Sequence, residues 1–181
     1  MKAPPHRILL IDDDLDQQFL STKALRQVMA SGSSINLAGS GNEAIAYMIG
    51  EGKFADRSRY PFPTVVITDL NMPDGDCFDV LEFMQANVAW SVVPRIVFSA
   101  SEDDDDVRTA FQLGASAFHL KPGSLDEIEA QIAQIVGYWA TNRIPPAGTS
   151  GRLDETKRSR TRGNRYPQSA GGEAMKRPEP A

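Results

Sequence analysis

The sequence predicts an α/β fold: one parallel sheet, doubly wound, with helices on both faces. Three observations predict it. Five short apolar, strand-like runs alternate strictly with five longer helix-like segments. The last of those segments carries one apolar stripe of helical period. The chain has 181 residues, the size of a single domain with an ordinary core.

The elements follow in order. Residues 7–11, "RILLI", form the first strand and end on three acids, Asp12, Asp13 and Asp14. Asp14 followed by Gln17 has the spacing of a capping box and opens a helix over 15–30. A second strand, 34–38, leads through "GSGN" into a helix over 42–49. The connection 51–63, "EGKFADRSRYPFP", is long for a compact domain. Its ordinary reading is a tolerated surface insertion, because lengthening a loop costs little entropy. The third strand, 64–68, ends on Asp69, and "NMPDGD" turns the chain into a helix over 77–86. The fourth strand, 94–98, delivers Ser99 and Ala100, and Ser101 precedes a run of acids suited to the positive end of a helix over 102–113. The fifth strand, 116–120, ends at Lys121 and Pro122. In the last helix, 125–140, Leu125, Ile128, Ile132, Ile135 and Trp139 step by three or four.

Residues 5–140 thus form the expected domain. Residues 141–181 are rich in Gly, Pro, Ser and Arg and poor in apolar side chains, which predicts a disordered basic tail. The charge is divided the same way. Residues 1–140 hold 10 Lys+Arg against 20 Asp+Glu, and 141–181 hold 9 against 4. An acidic body makes nucleic-acid binding by the body an unfavoured function, and the tail's "KRSRTRGNR" reads as a solvated linker. No apolar stretch is long enough for a membrane span, and the N-terminus lacks a secretory h-region. A single cysteine, Cys77, cannot form an internal disulfide, in keeping with a cytoplasmic location.

Ligands of an open parallel sheet sit beyond the carboxyl ends of its strands. There this sequence places Asp12 and Asp13, Asp69, Ser99 and Lys121. Oxygen ligands grouped at one open edge suit Mg²⁺, which keeps waters and accepts a phosphate oxygen. Asp69, at the centre, then has the character of a nucleophile forming an aspartyl phosphate, with Lys121 and Ser99 sharing charge on the transferred oxygens. Asp14 reads as a helix cap, 103–106 as a solvated helix start, and His6 and His119 have no partners at ligand spacing.

At these residues the sequence resembles the receiver domain of two-component response regulators. "ILLIDDD", "VVITDLNMPDG", "IVFSASED" and "AFHLKP" fall in order and at the usual spacings. The resemblance implies a flavodoxin-like (βα)5 fold of strand order 2-1-3-4-5, Mg²⁺ as cofactor, and a sensor histidine kinase or phosphotransfer protein as phosphodonor. It implies Asp69 as phosphoacceptor; Asp12, Asp13 and the backbone carbonyl of Asn71 as further metal ligands; Lys121 as the conserved-type lysine; and Ser99 and Phe118 as switch residues. Such a domain catalyses only its own phosphotransfer and dephosphorylation, so no metabolic enzyme is expected. The connection before the third strand and "IVGYWA" are similar to single-domain regulators of the phytochrome-associated kind, which adds a homodimer to the expectations. No DNA-binding output domain is expected after the last helix. Cys77 stands where glycine is usual after the acceptor loop, and Gly123 where a bulkier residue is common.

A haloacid-dehalogenase-like phosphatase would use Asp12 and Asp14 at D-x-D spacing, but the rest of that motif set and any cap segment are absent from the sequence. An adaptor with a vestigial receiver site is disfavoured by the complete acceptor set.

Overall fold

The computed structural model describes residues 5–142. Five strands, β1 (Arg7–Ile11), β2 (Ser34–Ala38), β3 (Val65–Thr68), β4 (Arg95–Ser99) and β5 (Ala117–Leu120), form one sheet of order β2-β1-β3-β4-β5, every neighbouring pair parallel. The helices are α1 (Leu15–Val28), α2 (Gly41–Ile49), α3 (Cys77–Ala86), α4 (Asp104–Gln112) and α5 (Leu125–Ala140). This is the flavodoxin-like topology expected.

Alternation along the central strands divides the core between the two faces. Ile8, Leu10, Val65, Ile67, Ile96 and Phe98 pack with Ala24 and Leu25 of α1 and with the Ile128–Ile132–Ile135 row of α5. Leu9, Ile11 and Val66 face the other way, onto Tyr47 and Met48 of α2 and Val80 and Met84 of α3. Leu125, the first residue of the predicted stripe, is 37% exposed rather than covered, and Val136 is buried beside the stripe.

The helix starts show where local reasoning was incomplete. Asp14 does cap α1, accepting from the backbone N–H of Asp16 and Gln17. Its own N–H donates to Asp12 Oδ1 rather than to Gln17, so the capping box does not close. Helix α4 is capped by Asp103, while Ser101 donates its hydroxyl to Asp106. A full capping box occurs at Asp76 and Asp79 of α3.

The connection 51–63 is not a loose insertion. Phe54 is buried, its ring centroid 5.2 Å from Tyr47 and 5.1 Å from Tyr60. Arg57 donates to the carbonyls of Tyr47 and Met48, which lie in the last turn of α2 where carbonyls lack helical partners. The Tyr47 hydroxyl donates to Pro61 O, and Arg7 Nε donates to Phe62 O. The segment therefore caps α2 and extends the core. The predicted basic tail lies outside the described residues.

Candidate functional site

Strand register assembles the site. Ile11 is paired with Thr68, so Asp12 and Asp69, the next residues, leave the sheet side by side. The Asp69 N–H donates to Ile11 O at 2.8 Å and the Asp12 N–H to Ala38 O at 3.1 Å, which fixes both turns to their neighbours. Ser99 is paired with Leu120, and the Lys121 N–H donates to Ser99 O at 2.7 Å. That bond sets the height from which the lysine reaches across β4 and β3.

Lys121 Nζ donates to Asp12 Oδ2 at 2.8 Å and lies 3.3 Å from Asp69 Oδ1. All three side chains are largely shielded, with 10%, 4% and 16% exposure for Lys121, Asp12 and Asp69. Burial pushes the Asp12 carboxyl above its usual range, and the hydrogen bond and charge of Lys121 offset that only in part. Asp69 Oδ1 is buried and makes no hydrogen bond among the described residues, although it lies close to the ammonium. An oxygen in that condition is short of a partner, since desolvation is costly for a carboxylate.

Asp13 is exposed and completes the set. Asp12, Asp13 and Asp69 each offer an oxygen, all within 4.8 Å of one another. Three clustered carboxylates against one lysine leave an excess of negative charge. Hard oxygen donors in that arrangement fit a divalent cation. The carbonyl of Asn71, two residues after Asp69, accepts no hydrogen bond among the described residues.

The remaining predicted residues stand nearby without touching the acids. Ser99 is buried, and its hydroxyl accepts from the N–H of Ser101 at 3.3 Å. Phe118 is half-buried against Leu70, Val97 and Ala110, beneath α4. Neither of the two departures from the usual motif distorts the site. Cys77 begins α3 without a positive φ, and burial pushes its thiol up to about 12, leaving it unreactive. A side chain at Gly123 would meet open space. Asp14, the second acid of the D-x-D reading, is occupied as a helix cap, which leaves that chemistry without its second carboxylate.

Sequence reasoning missed two features. Gln18, buried in α1, donates its amide to Asp12 O at 2.5 Å and Ala38 O at 3.3 Å, tying the acidic turn to β2. No sequence signal marks a mid-helix glutamine as such a tie. Beside it an open groove of about 540 Å³ is lined by Leu15, Phe19, Thr22, Lys23 and Leu37. Leu15 and Phe19 are 76% and 68% exposed. Their i, i+4 spacing lies off the buried row Gln18, Ser21 and Leu25, and that offset was the available signal.

The fold has counterparts among known proteins. The family profile described as "Response regulator receiver domain" matches residues 8–133. The "Probable methanogenesis regulatory protein FilR2" of Methanothrix harundinacea is 29% identical over 142 residues, 78% of this chain and 88% of that protein. "Response regulator Rcp1" of Synechocystis is 26% identical over 144 residues, 80% of this chain and 95% of that protein. The crystal structure of the phosphorylated cyanobacterial phytochrome response regulator RcpA superposes with a TM-score of 0.72 at 24% identity, covering 79% of this chain and 100% of that one. The Mn(2+)-bound form of Rcp1 superposes with a TM-score of 0.70 at 24% identity, covering 78% and 100%. The profile match runs from the first strand into the last helix, so it spans the fold as well as the motifs, and the chain belongs to the response regulator receiver domain family.

Proposed function

We propose that this response regulator accepts a phosphoryl group on Asp69 from a phosphohistidine of a sensor kinase or phosphotransfer protein, with Mg²⁺ at the acidic cluster. The observation that carries the reading is the state of Asp69: central among Asp12, Asp13 and Lys121, with one buried oxygen lacking a hydrogen bond. Asp69 attacks phosphorus in line. The P–N bond to imidazole breaks as the new P–O bond forms, and the departing ring nitrogen takes a proton from solvent. Lys121 bears on the charge of the transferred oxygens, and Asp12 and Asp13 with the Asn71 carbonyl hold the ion. Mg²⁺, when bound, supplies neutralisation of the phosphoryl oxygens. Binding of a divalent ion has support in the Mn(2+)-bound form of Rcp1.

The donor approaches over the start of α1. The exposed pair Leu15 and Phe19 directly follows the acidic turn and offers an apolar contact to a helical partner. Output follows from Ser99 turning toward the phosphoryl oxygens and Phe118 moving inward, which reshapes the α4–β5–α5 face. Phe111 of α4, Leu120 of β5 and Tyr138 of α5 are exposed. Self-association of phosphorylated chains through that face is the output proposed.

Two donors separate the parts of this reading. Asp69→Asn is expected to lose labelling by both acetyl phosphate with Mg²⁺ and a phosphorylated kinase, because an amide is no nucleophile. Phe19→Ala is expected to keep labelling by acetyl phosphate and slow transfer from the kinase. Undiminished labelling of Asp69→Asn overturns the acceptor assignment, and unaltered kinase transfer to Phe19→Ala overturns the docking surface.

A further inference from the structure

The loop after the acceptor is bolted to a corner that the sequence left without a role. Residues 69–76 leave β3 at Asp69 and enter α3 at its cap, Asp76. Leu70 and Met72 are buried, while Asn71 and Pro73 between and after them are exposed. The far part of the loop rests on "GSGN", which follows β2. The Gly41 N–H donates to Gly75 O at 2.8 Å, and the Asn42 N–H to Asp74 O at 3.2 Å. Side chains repeat the connection: Asn42 Nδ2 donates to Asp74 Oδ1 at 2.9 Å, and the Ser40 hydroxyl to Asp74 Oδ2 at 3.2 Å.

The approach is too close for larger residues. A Cβ on Gly41 would stand 2.5 Å from Gly75 O, and Gly75 itself has φ 74°, a conformation that suits glycine. Ser40 is buried and also caps α2 through the Glu43 N–H at 3.1 Å, so its hydroxyl orientation is set by a helix that packs in the core. The corner is therefore a rigid support and the loop is the part it positions.

The consequence falls on Asn71. Its carbonyl is unclaimed within the described residues, and its backbone is held by the anchors on either side. Leu70 and Met72 fix where the chain passes. Leu70 is also held directionally, its carbonyl accepting from the Cys77 N–H at 3.1 Å, whereas the peptide groups between Asn71 and Pro73 make no hydrogen bond among the described residues. On the far side of Asn71 the directional contacts are those at Asp74 and Gly75.

We infer that Ser40, Asn42 and Asp74 form a latch that positions the Asn71 carbonyl for the cation, so that Asp74 is a positioning residue for phosphorylation although it touches neither ion nor phosphate. This rests on the function proposed above. Bidentate hydrogen bonding to Asp74, not its charge, is the active property. Asn42→Ala removes one bond with no change in charge and tests that distinction directly.

The experiment is Mg²⁺ titration of the full chain by calorimetry, paired with amide hydrogen exchange across 69–76 in metal-free protein. Asn42→Ala and Asp74→Ala are each expected to weaken Mg²⁺ binding by roughly 3- to 10-fold, on the scale found for partners that orient metal ligands. Both should speed exchange in the loop and leave the melting temperature close to wild type, since both side chains are at the surface. The double variant should be no weaker than the weaker single one, because one latch is broken either way. Asp74→Asn, which keeps an acceptor for Asn42, should recover much of the loss. Wild-type affinity and exchange in Asn42→Ala, additive losses in the double variant, or equal losses in Asp74→Asn and Asp74→Ala would overturn the latch. A wild-type chain that takes no Mg²⁺ and no phosphoryl label would overturn the function reading instead, so the two failures are distinguishable.

Discussion

Lys121 shows what a single residue contributes to this site. Its ammonium is 10% exposed between Asp12 and Asp69, so the attraction is little screened, and the same burial makes the charges costly to hold. The lysine's role was legible in sequence only in combination: alone it is a surface lysine, and after β5 in this sheet it faces two acids. His6 was given no role and has a structural one. It is buried, its Nε2 has no partner among the described residues, and Val65, Ile135 and Trp139 line the space around it. Burial holds its pKa below the ordinary 6.5, and the same holds for His119. The unfolded chain therefore binds these protons more readily than the folded one. The contribution of these groups to stability is present above about pH 6.5 and is lost as pH drops below it toward the folded-state pKa values. Denaturant midpoints between pH 7 and pH 5 should show this slope, and His6→Leu should flatten its share. Identical slopes in the two proteins would remove His6 from the account.

At the scale of elements, legibility followed period and length. Strict alternation placed all five strands and five helices to within a residue or two, because apolar runs buried on both faces leave few other arrangements. Cap identity was less legible. At α4 five consecutive acids all satisfy the same rule, and the structure selects Asp103. The connection 51–63 was the clear misreading, because its contacts are long-range and aromatic rather than periodic. Phe54→Ala tests the corrected view. Loss of a buried phenylalanine from a packed cluster should cost about 3–5 kcal/mol in denaturant unfolding. A loose insertion would lose no more than about 0.5 kcal/mol.

At the scale of the whole molecule, the proposed function assigns one edge of the sheet to phosphorylation and the α4–β5–α5 face to output. Phosphorylation adds charge and acceptor oxygens at the edge, and a partner is affected only if it binds the two states unequally. The constellation of Asp12, Asp13, Asp69 and Lys121 was readable because the sheet's switch point brings strand ends together by rule. Gln18, the Ser40–Asp74 latch and the Leu15–Phe19 groove were not, because each depends on which side chains of different elements meet. Sedimentation of the full chain with beryllium fluoride and Mg²⁺ is expected to show association that Phe118→Ala lacks. Equal sedimentation of both proteins with and without the fluoride would leave a heterologous partner as the output.

The most direct measurement of the central claim is the position of the phosphoryl group itself. Wild-type protein is incubated with acetyl phosphate and Mg²⁺, reduced with borohydride to convert an aspartyl phosphate to homoserine, and digested for mass spectrometry. The account predicts homoserine at Asp69, its loss when the ion is chelated before phosphorylation, and none at Asp12 or Asp13. Homoserine at Asp12, or label at Asp69 that forms equally without a divalent ion, would contradict it.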